Sequence, residues 1–306
     1  MLHRYIAYGL LIDSELELPE LGEPVSSEGQ PQVEIRLGSV PRCEQIGDGK
    51  ERHLLWIDPQ TFWLHIRDVA HYLVSEGRSI SIMAEPAADA GFIRGFLLGS
   101  VSGALLLQRG YLVLHGNAIR IGNGCMICVG DSGAGKSTLA AAFAKRGFDV
   151  LADDVVAIDS AGCAIPGYPR IKLWQEAADL LGISTAGLLR VFPDSEKYSL
   201  PINPVDHAHR LPVRWIYHLG SDDVSDVRIE PITGLDRFRL LRENTYRHEF
   251  LEGSKLLSEH LHQCSRLASQ SHLSKVTRPR IGVSLDALMD MLIADVERIE
   301  NQADRK

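Results

Sequence analysis

Residues Gly130-Asp131-Ser132-Gly133-Ala134-Gly135-Lys136-Ser137-Thr138 have the types and spacing that hold phosphate. Glycines let the backbone turn its N–H groups onto an anion, a lysine neutralises charge and a hydroxyl can ligate Mg²⁺. The pattern is G-x-x-x-x-G-K-S, and its flanks fit. Cys125 to Val129 are a short apolar run of strand type, and Leu139 to Arg146 a helical stretch that stops at Gly147. Strand, glycine loop and helix would place Gly130 to Thr138 around the β- and γ-phosphates of ATP, with Lys136 on the phosphate charge and Ser137 on Mg²⁺. Lys136 is expected to face solvent.

Asp153-Asp154 closes the apolar stretch Phe148 to Ala152. The spacing predicts a buried parallel strand whose C-terminal end opens on the ligand crevice. Side chains alternate along a strand, so one carboxylate should reach Mg²⁺ and the other the acceptor group. Adjacent carboxylates also resist double ionisation, which raises one pKa and suits it to take a proton. Upstream, Tyr111 to Ile121 reads as a strand, a His115-Gly116 step and a second strand, a hairpin that carries His115 toward the nucleotide side.

His115-Gly116, the Gly130 to Ser137 loop, and Arg146-Gly147 through Ala152-Asp153-Asp154 together resemble the C-terminal catalytic domain of HPr kinase/phosphorylase. The resemblance covers roughly residues 95 to 160. It implies that Asp153 is the general base for the acceptor hydroxyl, that Ser137 with Asp154 serves the metal, and that His115 lies near the transferred phosphate. The family's later Arg-Gly-Leu-Gly signature and its Mg²⁺-binding Glu have no match here, which leaves phosphorolysis and the HPr substrate unsupported. In their place stand Pro166 to Trp174, Lys197 to Pro201 and Glu243 to Arg247. With the opening Tyr8 to Leu21, these are similar to HPr kinase-like proteins of ribosomal peptide clusters, the lasso-peptide precursor kinases, which implies a C-terminal serine of a precursor peptide as acceptor. Kinase action on another protein or a small-molecule hydroxyl, and a non-catalytic ATP-sensing regulatory module, stay open. Arg170, Lys172 and Arg247 are the candidate phosphate or peptide contacts, because cations between Pro, Gly and aromatic residues are costly in a core.

The 306 residues are 45% hydrophobic, enough for a large core, and a net charge of −8 argues against nucleic-acid and anionic-membrane binding. Five cysteines, at 43, 125, 128, 163 and 264, lack framework spacing, so a reducing, cytoplasmic setting is expected. Cys125 and Cys128 read as buried thiols, and His260, His262 and Cys264 are too poorly aligned on a helix to read as a zinc site. Phe92 to Leu107 is apolar but short and interrupted, hence a buried helix rather than a span. A homo-oligomer is left open.

The elements that must position these residues divide near residue 88. Strand signals at 32–37, 61–66, 72–74 and 79–83 make residues 1–88 a small β-rich lobe. Residues 89–306 then form an α/β phosphate-loop domain of HPr kinase-like type. It holds a helix at 92–109, mixed helix and loop from Trp174 to Pro212, a strand at 213–219, a long helical region at 240–272, and a final amphipathic helix capped by Ser284.

Overall fold

Alternation of apolar and polar side chains builds the first sheet of the computed structural model, which describes residues 1–41, 53–57, 60–206, 209–251, 255–280, 282 and 284–303. Strands β1 (His3–Ala7), β2 (Leu10–Ser14), β3 (Val33–Leu37), β4 (His53–Ile57), β5 (Thr61–Ile66), β6 (Ala70–Ser75) and β7 (Ser79–Ala84) stand in the order β1-β2-β3-β7-β6-β5-β4. The inward residues Phe62, Tyr72, Val74, Ile80 and Ile82 pack on a long helix. That helix runs through α1 (Ala90–Phe96), a π-turn at Leu97–Val101, and α2 (Ser102–Gln108). Ala90–Gln108 is long and apolar enough to cross a membrane, but it is mostly buried inside the protein.

The second sheet comprises β8 (Leu112–Ile121), β9 (Gly124–Val129), β10 (Val150–Ile158), β11 (Cys163–Ile165), β15 (Leu211–Asp222), β16 (Arg228–Pro231) and β17 (His272–Pro279), in the order β11-β10-β8-β9-β15-β17-β16. Both faces are covered. Helices α3 (Lys136–Lys145), α4 (Gln175–Leu181) and α7 (Leu285–Ala303) share one core with Met126, Cys128, Trp215 and Tyr217. Helices α5 (Leu235–Glu243) and α6 (Leu256–Gln270) share the other with Leu114, Ile127, Val129 and Ile216. The Ser284 hydroxyl accepts from the Ala287 N–H at 3.1 Å, so α7 is capped as its sequence predicts. A small third sheet, β12 (Arg170–Trp174), β14 (Lys197–Pro201) and β13 (Leu189–Arg190), lies in the order β12-β14-β13. The fold is thus mixed α/β with several sheets.

Four expectations need correction. Residues 112–121 are one continuous strand, not two flanking a His-Gly step, and the hairpin is made with β9. The acid pair does not end its strand: β10 continues to Ile158 and pairs antiparallel with both β8 and β11. The region 174–212 contains strands that short length and flanking prolines concealed. The region 240–272 is no single helix, because Thr245 bridges to Leu114 and Arg247 takes a left-handed backbone, φ 52°. Of the thiols, Cys125, Cys128 and Cys264 are buried and Cys163 is half-buried, while Cys43 lies outside the described residues. Burial pushes the Cys128 thiol up to about 12. His260 is buried between Thr245 and Cys264, with burial drawing its pKa down to about 4, while His262 faces a different part of the surface.

Candidate active site

Sheet register, more than sequence distance, assembles the site. Asp154 of β10, Gly116 of β8, Val129 of β9 and His218 of β15 stand in one row across four strands. The acid pair is therefore level with the point where the chain leaves β9 for the glycine loop, although β10 itself runs on past it. Gly116 keeps this row close: a Cβ there would sit 2.5 Å from the Cys128 carbonyl oxygen. Gly130 opens the loop at φ 138°, and a Cβ would meet the Leu219 carbonyl oxygen at 2.5 Å, so only glycine serves the turn.

The loop is braced from several sides. The Gly130 N–H donates to Asn244 Oδ1 at 2.9 Å, and Asn117 Nδ2 donates to the Lys136 carbonyl at 2.5 Å. Lys136 Nζ donates to the carbonyls of Gly130 at 2.7 Å and Asp131 at 3.0 Å. Lys136 is buried, not solvent-facing, and burial lowers its pKa against the pull of Asp153 and Asp154.

The two carboxylates converge instead of alternating. Asp153 Oδ1 accepts from the Ser137 hydroxyl at 3.0 Å, and its Oδ2 from the Lys172 backbone N–H at 2.8 Å. Asp154 Oδ2 meets Lys172 Nζ at 2.5 Å, and its Oδ1 lies 3.3 Å from His115 Nδ1. The cause is visible in the backbone: Asp154 has φ 73°, a left-handed conformation inside a strand, which breaks the two-residue alternation. Such a conformation costs of order 1–3 kcal/mol and persists where the surroundings over-determine it. The electrostatics then diverge. Burial, with the charge of Asp154, raises the pKa of Asp153. Burial acts to raise that of Asp154 too, but Lys172 and His115 outweigh it and hold this carboxyl well below the usual range.

A cavity of about 480 Å³ opens beside these groups, lined by some of them but not by Lys136, Ser137 or Asp153. Its wall includes Gly130, Asp131 and Ser132 of the loop, His115, Asp154 and Lys172. Of the three candidate substrate cations, Lys172 and Arg247 line it and Arg170 does not. Ser137 pairs with Asp153. Asn117, Lys197, Asn244 and Tyr246 also stand at the site, with no role predicted for them from the sequence. Asn117 directly follows the His-Gly step, and Lys197 opens the Lys197 to Pro201 segment. Asn244 comes from 114 residues beyond Gly130, with no local signal.

No family model and no curated protein matches this chain. Among solved structures, the Hpr(Ser) kinase/phosphatase from Coxiella burnetii aligns with a TM-score of 0.32 and 13% identity, over 63% of this chain and 94% of that one. A likeness of that size carries no argument about chemistry.

Proposed function

We propose that the protein is an ATP- and Mg²⁺-dependent serine kinase. It would transfer the γ-phosphoryl group to a serine hydroxyl of a peptide, with the C-terminal serine of a lasso-type precursor as the acceptor that the sequence resemblance favours. The observation that carries this reading is the single cavity in which a glycine loop entering a helix faces a carboxylate, an imidazole and two lysines, Lys172 and Lys197. Backbone N–H groups at the start of α3 and Lys136 suit polyphosphate, and the Ser137–Asp153 oxygen pair suits a hard divalent cation. Ser137 and Asp153 would hold Mg²⁺, which when bound neutralises charge on the phosphoryl group.

Position argues for reversing the two carboxylate roles that the resemblance implies. Asp154 lines the cavity, whereas Asp153 is engaged with Ser137 and the Lys172 N–H. A general base is chosen first by reach. Asp154 would orient the serine hydroxyl and take its proton as the serine oxygen bonds to the γ-phosphorus and ADP leaves with the bridging oxygen. Its low pKa makes it a weak base, so its main contribution would be to position the hydroxyl, which a loose phosphoryl-transfer transition state needs more than a strong base. Lys172 would compensate the negative charge gathering there.

The test is mass spectrometry after incubation with ATP, Mg²⁺ and either C-terminal-serine peptides or folded HPr. A gain of about 80 Da, one phosphoryl group, is expected on the peptides only, and at least ~10²-fold less of it with Asp154→Asn at unchanged ATP affinity. Efficient labelling of HPr alone would move the protein to HPr as substrate. ATP binding with transfer to neither would favour the sensing module.

A further inference from the structure

Glu20 and Arg170 are both buried, 8% and 5% exposed, and each keeps one side-chain atom, Oε2 and Nη2, without a hydrogen-bond partner. Both line the same second cavity, of about 780 Å³. The other Glu20 oxygen accepts from Arg94 Nε at 2.8 Å, and the Arg170 guanidinium lies over the Tyr168 ring at 5.4 Å. A buried polar atom without a partner carries a desolvation cost that an occupant can remove. Here the missing partners are an acceptor for Arg170 and a donor for Glu20, two groups that a peptide backbone carries as its C=O and N–H. The remaining wall is largely apolar, with Ile6, Leu21, Val25, Leu189, Ile202 and Val205. Val25 and Leu189 are exposed, so an apolar side chain entering between them would remove them from water.

This cavity adjoins the candidate active site along a shared floor. On β12, Lys172 lines the first cavity and Arg170 the second; on β14, Lys197 lines the first and Ser199 the second. Residues two apart share a face of a strand and stand about 7 Å apart. Helix α1 lines the first cavity through Gly95 and Phe96, and its Arg94 holds Glu20, which lines the second. An extended chain laid along this floor reaches from one to the other in about two or three residues.

We infer that the second cavity is a docking subsite for the peptide acceptor, taking an apolar side chain and the adjoining backbone amide a short distance from the serine that is phosphorylated. The inference rests on the peptide-kinase reading, yet binding tests it apart from transfer. The probes are short N-acetylated alanine-lysine peptides with one serine and one leucine, the leucine moved residue by residue along either side, and a leucine-free control. Titration calorimetry without ATP should show leucine peptides binding at least ~10-fold tighter than the control, the scale of burying one leucine side chain. Leu189→Asp should abolish that preference, and Arg170→Gln should weaken the leucine peptides and the control alike. Melting and circular dichroism check folding, and Leu189, at the exposed rim, keeps the test decisive if the buried Arg170 variant fails to fold. Equal binding of all peptides by wild type, or a preference that survives Leu189→Asp, overturns the inference. Among phosphorylated peptides, KM should be lowest with leucine about two or three residues from serine. Leucine-dependent binding without phosphorylation would uphold the subsite and count against the kinase reading alone.

Discussion

Lys172→Met cuts the strongest charge contact in the site and exposes how the acid pair is held. The ammonium lies 2.5 Å from Asp154 Oδ2, where the two side chains are 10% and 15% exposed. Removing one partner of a buried pair costs about 3–5 kcal/mol, because the other charge is left without compensation. His115 Nδ1, 3.3 Å from the second oxygen, remains, so the lower end, about 3 kcal/mol, is expected. The pH dependence follows from the direction of the Asp154 shift. In wild type its folded pKa lies below the unfolded value, so the pairing stabilises above the ordinary carboxylate range and is lost as pH falls through the folded pKa. In the variant, burial is no longer opposed by Lys172 and the folded pKa rises. The carboxylate then destabilises at neutral pH, and stability returns as pH falls and it protonates. Urea unfolding without nucleotide between about pH 5 and about pH 8 should show the gap to wild type widening toward the alkaline end. Adding Asp154→Asn to Lys172→Met should restore much of the loss, since removing both charges of a buried pair is often near neutral. A loss below about 1 kcal/mol that ignores pH, or no recovery in the double variant, would refute the assignment of a buried, charged pair.

Lys136→Ala should abolish transfer and weaken ATP binding; more than about a tenth of wild-type turnover would remove the phosphate-loop assignment. Since the buried Lys136 Nζ also bridges the Gly130 and Asp131 carbonyls, its loss should loosen the loop, read as faster amide exchange there without nucleotide. Asp153→Asn should raise the Mg²⁺ concentration needed for half-activity and remove the rise in melting temperature that Mg²⁺ with ADP gives wild type. An unchanged Mg²⁺ dependence in Asp153→Asn, with a shifted one in Asp154→Asn, would restore the order of roles that the resemblance implies.

The parts of the candidate site legible in the sequence are those whose chemistry is local. A glycine loop between an apolar run and a helix announces itself within about twenty residues, as does a pair of aspartates after an apolar stretch. What escaped was set by register and by backbone strain. That Asp154 stands level with Val129 follows from β8 lying antiparallel between β10 and β9, which the hydrophobic pattern leaves open. That both carboxylates turn toward Lys172 follows from one residue at φ 73°, which a two-residue period predicts against. Lys172 reads from the sequence only as a candidate phosphate or peptide contact, because a lysine in a buried strand is unfavourable alone; opposite a buried aspartate it is matched. The same logic explains Asn244: a polar residue beyond a helix end carries no signal until its oxygen is found accepting from the first glycine of the loop. Lys172 and Asn244 share one property: each meets its partner in the site from far along the chain. Lys172 is itself a buried polar residue whose partner Asp154 lies 18 residues away, and among the described residues Glu20 and Arg170 are two further buried polar side chains, each with an atom still without a partner.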